Sequence, residues 1–478
     1  MNQKDKGITI KKEENMSEWY EQVCLKSELA EFSPVKGTMV IRPRGYAIWE
    51  KIKQYFEETI NKPLGVKNAY FPLFIPESFF KKEAEHAEGF SPEVAWIDKE
   101  LTKGGERLAI RPTSETIMYD SYSRWIRSYR DLPLKINQWA NVVRWETKAT
   151  RLFLRSREFL WQEGHNVYET EKECEAETIE LIKRYAKLAE NLLAIPVLVG
   201  KKSEKEKFAG ALHTYTIESF MPDGKALQCG TTHNLGQGFE KSFEISFLGR
   251  DEKKHLPWQN SWGLSTRLIG GMVMTHSDDK GLILPPKVTE EKIVIIPLLF
   301  KDSKEKVLKK AKEIEKDLKK WNPILDDSED YSPGYKFSEH ELIGTPIRIE
   351  LGPRDLEKDS AIVVRRDTKE KQSIKIKDLK KEIPKILNTM QKEMLEKARE
   401  KMQKEIIEVK TKEEFAKAIK KSKLIKMNWC DTIECEEEIK NKTGASTRCV
   451  LFKDKKPKGK CPHCGKDCKT IMYFSKSY

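Results

Sequence analysis

Three arginines in the first half of the chain, Arg144, Arg155 and Arg267, are of the type that holds phosphate oxygens. A guanidinium is permanently charged and offers bidentate donors, which suits phosphate better than an ammonium does. ATP-dependent activation of a carboxylate is chemistry of that kind. Its nucleophile is already ionised at pH 7, so no general base is demanded, and the site must align the attack and neutralise phosphate charge. Glu146 follows Arg144 by two residues and shares its face if the strand carrying both continues. Such a pair can hold an α-phosphate and an adenine or amine donor together. An ordinary cross-strand ion pair would show the same pattern.

Cysteines form the second chemical group. There are nine, six of them after Trp429. Cys430 and Cys435 make C-x4-C, and Cys461 and Cys464 make C-x2-C after a gap of 25 residues. Four thiolates fit tetrahedral zinc and leave no open position for catalysis, so the expected role is structural. Cys449, His463 and Cys468 compete as ligands. The clustering favours a metal in a reducing compartment over a disulfide framework.

The elements that must position these groups follow from periodicity. From Arg44 to Asn61, the residues Tyr46, Trp49, Ile52, Phe56 and Ile60 recur every three or four positions, which predicts an amphipathic helix. The following AYFPLFI reads as a strand interrupted by Pro72, at a sheet edge or an interface. PLKINQWANVVRWE and REFLWQEGHNVYE read as antiparallel strands joined by the long basic connection TKATRLFLRS. A helix is expected from Thr170 to Ala194. GLSTRLIGGMVMTHSD reads as a helix packed closely through Gly270 and Gly271. After Pro285-Pro286, the segments KIVIIPLL, PIRIELG and SAIVVRRD alternate with helical stretches, which suggests a small α/β domain. From about Asn388 a charged helix leads into the cysteine-bearing end.

At 478 residues the chain is long enough for about three domains. We divide it into a catalytic unit over 1–286, an α/β unit over 287–390 and a metal-binding unit over 391–478. Charged residues make up 35% against 38% apolar, and the longest apolar run, Ile293 to Phe300, is far shorter than a bilayer span. With a mean hydropathy of −0.66, no membrane partner is expected. The first residues, MNQKDKGITIKKEEN, read as neither a secretory signal nor a transit peptide, so a cytoplasmic location is expected. A net charge of +13 favours a polyanionic partner, although many lysines alternate with glutamates as solvated helix faces do.

Taken in order, these segments resemble the class II prolyl-tRNA synthetases of the archaeal and eukaryotic type. The helix from Arg44 with AYFPLF looks like motif 1, whose proline, here Pro72, belongs to a homodimer interface. NVVRWE with FLRSREFLWQEG looks like motif 2, and GLSTRLIGG like motif 3. RPTSET and LQCGTTHNLGQ resemble two loops that close over proline and ATP. GTPIRIELGPRDL and VVRRDT resemble the anticodon-binding domain. The resemblance implies an α/β (α+β) architecture: a class II antiparallel sheet with helices, an α/β anticodon-binding domain and a small zinc-bearing α/β C-terminal domain. It implies formation of prolyl-adenylate from L-proline and ATP with Mg2+, then transfer to tRNA(Pro).

The resemblance also implies residue roles. Arg144 would touch both the α-phosphate and the substrate carboxylate, and Glu146 the adenine amino group. Arg155 and Ser156 would hold the nucleotide, and Arg267 would clamp the γ-phosphate with Ser265 beside it. The family often has Thr at that last position. Gln228 and Thr231 would line the ATP and magnesium site. Thr113 and Glu115 would accept from the proline ammonium, which has two N–H donors. Trp161, Phe208 and His233 would wall the ring, with Glu163 holding His233 or another polar neighbour. A core tryptophan and a satisfied loop histidine are the plain alternatives for Trp161 and His233. The resemblance favours Cys430, Cys435, Cys461 and Cys464 as the zinc ligands. It places the terminal Tyr478 against the catalytic unit, and Arg348, Glu350 and Arg354 become candidates for anticodon contacts. Only about 100 residues separate motifs 2 and 3, which leaves no room for an editing insertion. The competing readings are another group IIa synthetase, such as a threonyl enzyme, and a non-catalytic tRNA-binding paralogue. Against the first, the central loop lacks the cysteine and histidines of a catalytic zinc. Against the second, Arg144, Arg155, Arg267 and Glu115 would be idle.

Overall fold

The computed structural model describes residues 7–84, 94–103, 105–145, 149–454 and 457–478. Its main body is an eight-stranded sheet made of Lys67–Asn68 (β1), Leu134–Val143 (β2), Glu158–Tyr168 (β3), Leu198–Lys201 (β4), His213–Phe220 (β5), Ala226–Gly236 (β6), Trp258–Ser265 (β7) and the short strand Val450–Leu451. The order is Val450–Leu451, β4, β5, β6, β7, β3, β2, β1. Every pairing is antiparallel except β1 with β2.

Alternation along the strands gives this sheet two unlike faces. One face is covered by the helices Pro43–Phe56 (α1) and Glu171–Asn191 (α3) and carries the main hydrophobic core, with buried Gln162, Thr232 and Asn260 hydrogen-bonding to α3. There Trp262 of β7 stacks on Phe56 of α1 at 5.8 Å and packs against Tyr185 of α3. Gly164 is required for this: a Cβ at that position would lie 2.0 Å from the Trp262 ring. Thr170 and Glu173 close a capping box that starts α3 where the sequence places it. The other face is polar and carries the side chains treated below. The helix Glu115–Trp125 (α2) adjoins it, and Arg267–His276 (α4) follows directly on β7.

Three expectations are corrected. GLS of the motif 3 segment ends strand β7 and the helix begins only at Arg267, because Gly263 and Ser265 pair with Glu163 and Trp161 across the sheet. AYFPLFI is not one strand: Lys67–Asn68 and Phe74–Pro76 are separate strands in different sheets, with Pro72 between them. The segment holding Gln228, Thr231 and His233 is no loop but strand β6, paired on both sides. Gly270 and Gly271 do mark close packing, since a Cβ would meet Leu154 and Tyr20 at 2.8 Å in one case and Leu227 at 2.8 Å in the other.

A second, five-stranded sheet has the order Ile324–Leu325, Ile293–Pro297, Ile347–Leu351, Ser360–Arg365, Lys371–Lys375, the first three parallel. The 26-residue helix Leu379–Lys404 leads from it to a four-stranded sheet of Ile406–Glu408, Leu424–Trp429, Thr470–Ser475 and Ser446–Thr447.

Candidate active site

Strand register sets the polar face out in rows. Thr216, Thr231, Gly263, Glu163 and Gln138 lie side by side across β5, β6, β7, β3 and β2. The next row is Thr214, His233, Ser261, His165 and Ile136. Glycine at position 263 leaves the middle of the first row without a side chain, and the Trp161 ring lies over it, 3.6 Å from where a Cβ would be.

Glu163 is the hub. Its carboxylate accepts from the Ser114 N–H at 3.1 Å, from the Ser114 hydroxyl and from Gln138 Nε2 at 2.9 Å. It also contacts His165 Nε2 at 3.2 Å, and Tyr119 OH meets His165 Nδ1 at 3.1 Å. Burial alone would raise the Glu163 carboxyl, but hydrogen bonds from His165, Ser114 and Gln138 and the charge of His165 bring it below the usual range. Burial likewise opposes a charge on His165, and the Glu163 bond with the nearby Glu115 carboxylate overcomes it, so the imidazole is held above its ordinary value. Through the Ser114 bonds the Glu163–His165 pair anchors the turn that carries Thr113 and Glu115. Thr113 donates to the Glu115 carboxylate, and ligand atoms of Glu115, Glu163 and His165 all lie within 4.8 Å of one another.

His233 sits between hydroxyls, with Thr214 Oγ1 at 2.9 Å from Nδ1 and Thr231 Oγ1 at 3.0 Å from Nε2. Burial, with the charges of His165 and Lys202, pushes it down to about 3, so its imidazole is neutral. The Phe208 ring lies 4.8 Å from it. Glu163 therefore holds His165, and His233 is held by threonines.

Arg144 stands just past β2, its Nε donating to Pro112 O at 3.1 Å and its guanidinium 5.4 Å from the Trp161 ring and 5.6 Å from Phe159. These contacts place it beside the Thr113–Glu115 turn. Trp161 Nε1 is buried without a hydrogen-bond partner. Arg267 opens α4; its Nε donates to Leu154 O at 3.0 Å and its Nη1 to Gln228 O at 3.4 Å, while its N–H donates to Ser265 Oγ. It thus joins the β2–β3 connection to β6. Arg155 and Ser156 come from that connection, where Arg151 and Arg155 pair through their main chains. Both line a cavity of about 370 Å³ against residues 32–39, and the buried Ser156 hydroxyl has no partner. Glu146 lies outside the described residues.

Sequence reasoning missed His165, Ser114, Gln138 and Thr214. Only His165 carried a signal: Trp161, Glu163 and His165 alternate on one strand and so share a face.

In the C-terminal region the Sγ atoms of Cys430, Cys435, Cys461 and Cys464 all lie within 4.8 Å of one another, with Cys430 to Cys464 at 3.4 Å and Cys435 to Cys461 at 3.9 Å. A zinc tetrahedron with bonds of about 2.3 Å has edges of about 3.8 Å, so the four thiols fit one ion. The competitors are placed elsewhere: Cys449 is buried near Gly200, His463 contacts Glu438 at 3.2 Å, and Cys468 donates to Gly459 O.

Comparison with known proteins agrees along the chain. Residues 96–276 match the tRNA synthetase class II core domain (G, H, P, S and T), residues 292–386 an anticodon binding domain, and residues 412–478 the C-terminal domain of prolyl-tRNA synthetase. A "Proline--tRNA ligase" of Alkaliphilus oremlandii is 49% identical over 98% of this chain and 97% of its own. One of Lachnoclostridium phytofermentans is 48% identical over the same shares. A crystal structure of prolyl-tRNA synthetase from Cryptosporidium parvum with halofuginone and AMPPNP has a TM-score of 0.95 at 44% identity, covering 99% of this chain and 100% of that one. Another from that organism, with L-proline and AMP, has a TM-score of 0.93 at 43% identity, covering 99% and 97%. Identity near one half over almost the full length of both chains, through the core, the anticodon-binding region and the C-terminal region alike, means that the chain belongs to the prolyl-tRNA synthetase family.

Proposed function

We infer that the chain joins L-proline to tRNA(Pro) in two steps. The proline carboxylate bonds to the α-phosphorus of ATP as the bond to the β-phosphate oxygen breaks and pyrophosphate leaves. A ribose hydroxyl of the terminal adenosine then displaces AMP from prolyl-adenylate. The observation that carries this reading is the place of Arg144, with its Nε on the Pro112 carbonyl and its guanidinium beside the Trp161 and Phe159 rings, next to the Thr113–Glu115 turn; on this reading it meets both the carboxylate and the α-phosphate.

On this reading Thr113 and Glu115 accept from the proline ammonium, and Trp161, Phe208 and the neutral His233 wall the ring, with Glu163 and His165 behind them. Arg144 and Arg267 are the catalytic groups, meeting charge on the α- and γ-phosphates. Arg155, Ser156, Ser265 and Glu146 serve the nucleotide. Gln228 and Thr231 line its magnesium side, and their neutral oxygens fit a hard cation held mainly by substrate phosphates and water. Pyrophosphate exchange with each of the twenty amino acids tests the reading. Exchange should depend on proline, and equal exchange with another amino acid would sink it.

The same proposal divides the chain at 286 and 390 and assigns the cysteine cluster one structural zinc. That ion would cross-link the two halves of the C-terminal fold. Purified protein should hold about one zinc per chain, and Cys464→Ser should lose it; full occupancy in that variant would refute the ligand set. Residues 169–266 form α3, β4 to β7 and the small hairpin Phe247–His255, which supports the absence of an editing domain and an archaeal-type architecture. Exposed Tyr70 and Phe74 flank Pro72 in the chain, and with the exposed Phe32, Val35, Val40 and Tyr46 of the preceding segment they support a homodimer through the first part of the chain. Among the described residues no helix is long and apolar enough to cross a membrane, in keeping with a cytoplasmic enzyme. In the anticodon-binding region Arg348 is paired with Glu350 at 3.0 Å and Glu341 at 3.1 Å, so Arg354 is the more available of the candidate base readers.

A further inference from the structure

The strand Val450–Leu451 of the C-terminal region completes one edge of the catalytic sheet, pairing with Lys201 and Gly200 of β4. The approach is close: a Cβ on Gly200 would lie 2.2 Å from Val450 O. Two residues before that strand, Arg448 reaches onto the polar face of the same sheet. Its side chain is 5% exposed and its Nε lies 3.3 Å from Glu218 Oε2. Lys202 Nζ meets the other oxygen, Glu218 Oε1, at 2.7 Å, and both side chains are 2% exposed. Thr216 Oγ1 donates to Glu218 Oε1 at 3.0 Å.

These contacts bear on the site through register. Thr214, Thr216 and Glu218 alternate on the polar face of β5, opposite His233, Thr231 and Gln228 of β6. The β5–β6 ladder is irregular at this point, its register shifting between Gln228 and Gly230. A shifted ladder fixes its strands less firmly than a regular one, so side-chain contacts matter more here. Gln228 O is also the acceptor for Arg267.

We propose that Arg448 is a positioning residue for adenylate formation: anchored in the C-terminal region, it holds Glu218 and thereby the β5–β6 pair that carries Thr231 and Gln228. This rests on the assignment of those two residues to the nucleotide. Charge arithmetic distinguishes the role from general stability. Two cations share one carboxylate, so removing Arg448 leaves a neutral Lys202–Glu218 pair, whereas removing Glu218 leaves two buried cations with no partner. Arg448→Met should fold, and Glu218→Gln should not fold well.

The test is pyrophosphate exchange with Arg448→Met and Arg448→Lys, varying ATP and proline separately, together with zinc content and melting temperature. Loss of one charged contact that orders the nucleotide side should raise KM for ATP about tenfold in Arg448→Met. KM for proline should stay within about threefold, with about one zinc per chain retained, and Arg448→Lys should recover most of the effect. An unchanged KM for ATP would overturn the proposal. So would a fall in all parameters together with loss of zinc or of cooperative melting, which would make Arg448 a structural residue only. A wild-type chain that shows no proline-dependent exchange would instead refute the assigned activity, so the two failures are distinguishable.

Discussion

The two ends of the pocket are built differently. At the proline end Glu163, His165, Gln138 and Ser114 are at most 1% exposed and hydrogen-bond to one another, so charge is balanced inside the protein before a ligand arrives. At the nucleotide end Arg144 and Arg267 are only half-buried and are aimed by main-chain carbonyls of Pro112, Leu154 and Gln228. On the proposed assignment the first end selects proline by shape and donor pattern, and the second supplies charge to the reaction.

Breaking the second end should have the largest effect. Arg144→Ala should lower the rate of adenylate formation about 10²–10³-fold in a folded protein, the usual loss for one donor to developing charge. Exchange within threefold of wild type would show that the nucleotide end does not depend on this contact. At the proline end, Glu163→Gln should cost stability as well as activity. Breaking a buried pair typically costs about 3–5 kcal/mol, and the low end applies here because His165 can shed its proton. Denaturant unfolding checks this, and an unchanged midpoint would mean that the network is not the rigid element described.

The same difference governs what could be read from the sequence. The helix from Arg44, the β2–β3 hairpin, the helix after Thr170 and the cysteine spacing were legible because each rests on local periodicity or on ligands close in sequence. Arg144, Glu163 and Arg267 were legible as an ordered set. Ser114 and Gln138 were not, since nothing near them in sequence marks a polar residue as the partner of a carboxylate 25 to 49 positions away, and Thr214 was not, its partner being the His233 imidazole on the neighbouring strand. His233 was read as a loop residue because LQCGTTHNLGQ resembles a loop of the family; pairing with both β5 and β7 makes the segment a central strand. Arg448 was invisible for the same reason on a larger scale, its carboxylate partner lying in another domain.

Substrate choice sharpens the comparison at smaller energies. A preformed apolar wall distinguishes proline from alanine only by the ring methylenes that alanine lacks, and one missing methylene gives about 1–3 kcal/mol. Alanine, and cysteine by the same argument of size, should therefore be activated at a measurable rate. On the proposal that the chain carries no editing domain, Ala-tRNA(Pro) should persist when incubated with the enzyme; rapid deacylation would refute that proposal.

The smallest expected effect is a pH dependence of stability that belongs to the proline end alone. His165 is held above its ordinary 6.5, so its charged form contributes stability that is full below pH 6.5 and is lost as pH rises through the folded value. Glu163 is held below 4.5, so its contribution is present above pH 4.5 and is lost in acid as pH falls through its folded value. For a single proton the alkaline limb is shallow, at most about 1.4 kcal/mol per pH unit. Another group opposes it. Lys12 is pushed down to about 8 by burial and by Lys401, so folding releases its proton and stability rises with pH from about 8 toward 10.5. His233 and His276, pushed down to about 3 and about 4, are neutral in the folded chain but take up protons on unfolding below about 6.5, so near pH 6 they also make stability rise with pH, equally in wild type and in His165→Gln. The difference between wild type and His165→Gln cancels the lysine, and it should shrink as pH is raised from 6 to 9. A difference that stays constant over that range would show that folding does not raise the proton affinity of His165, and one that grows with pH would show that His165 is uncharged in the folded chain and that the proline end is held by hydrogen bonds to Glu163 alone.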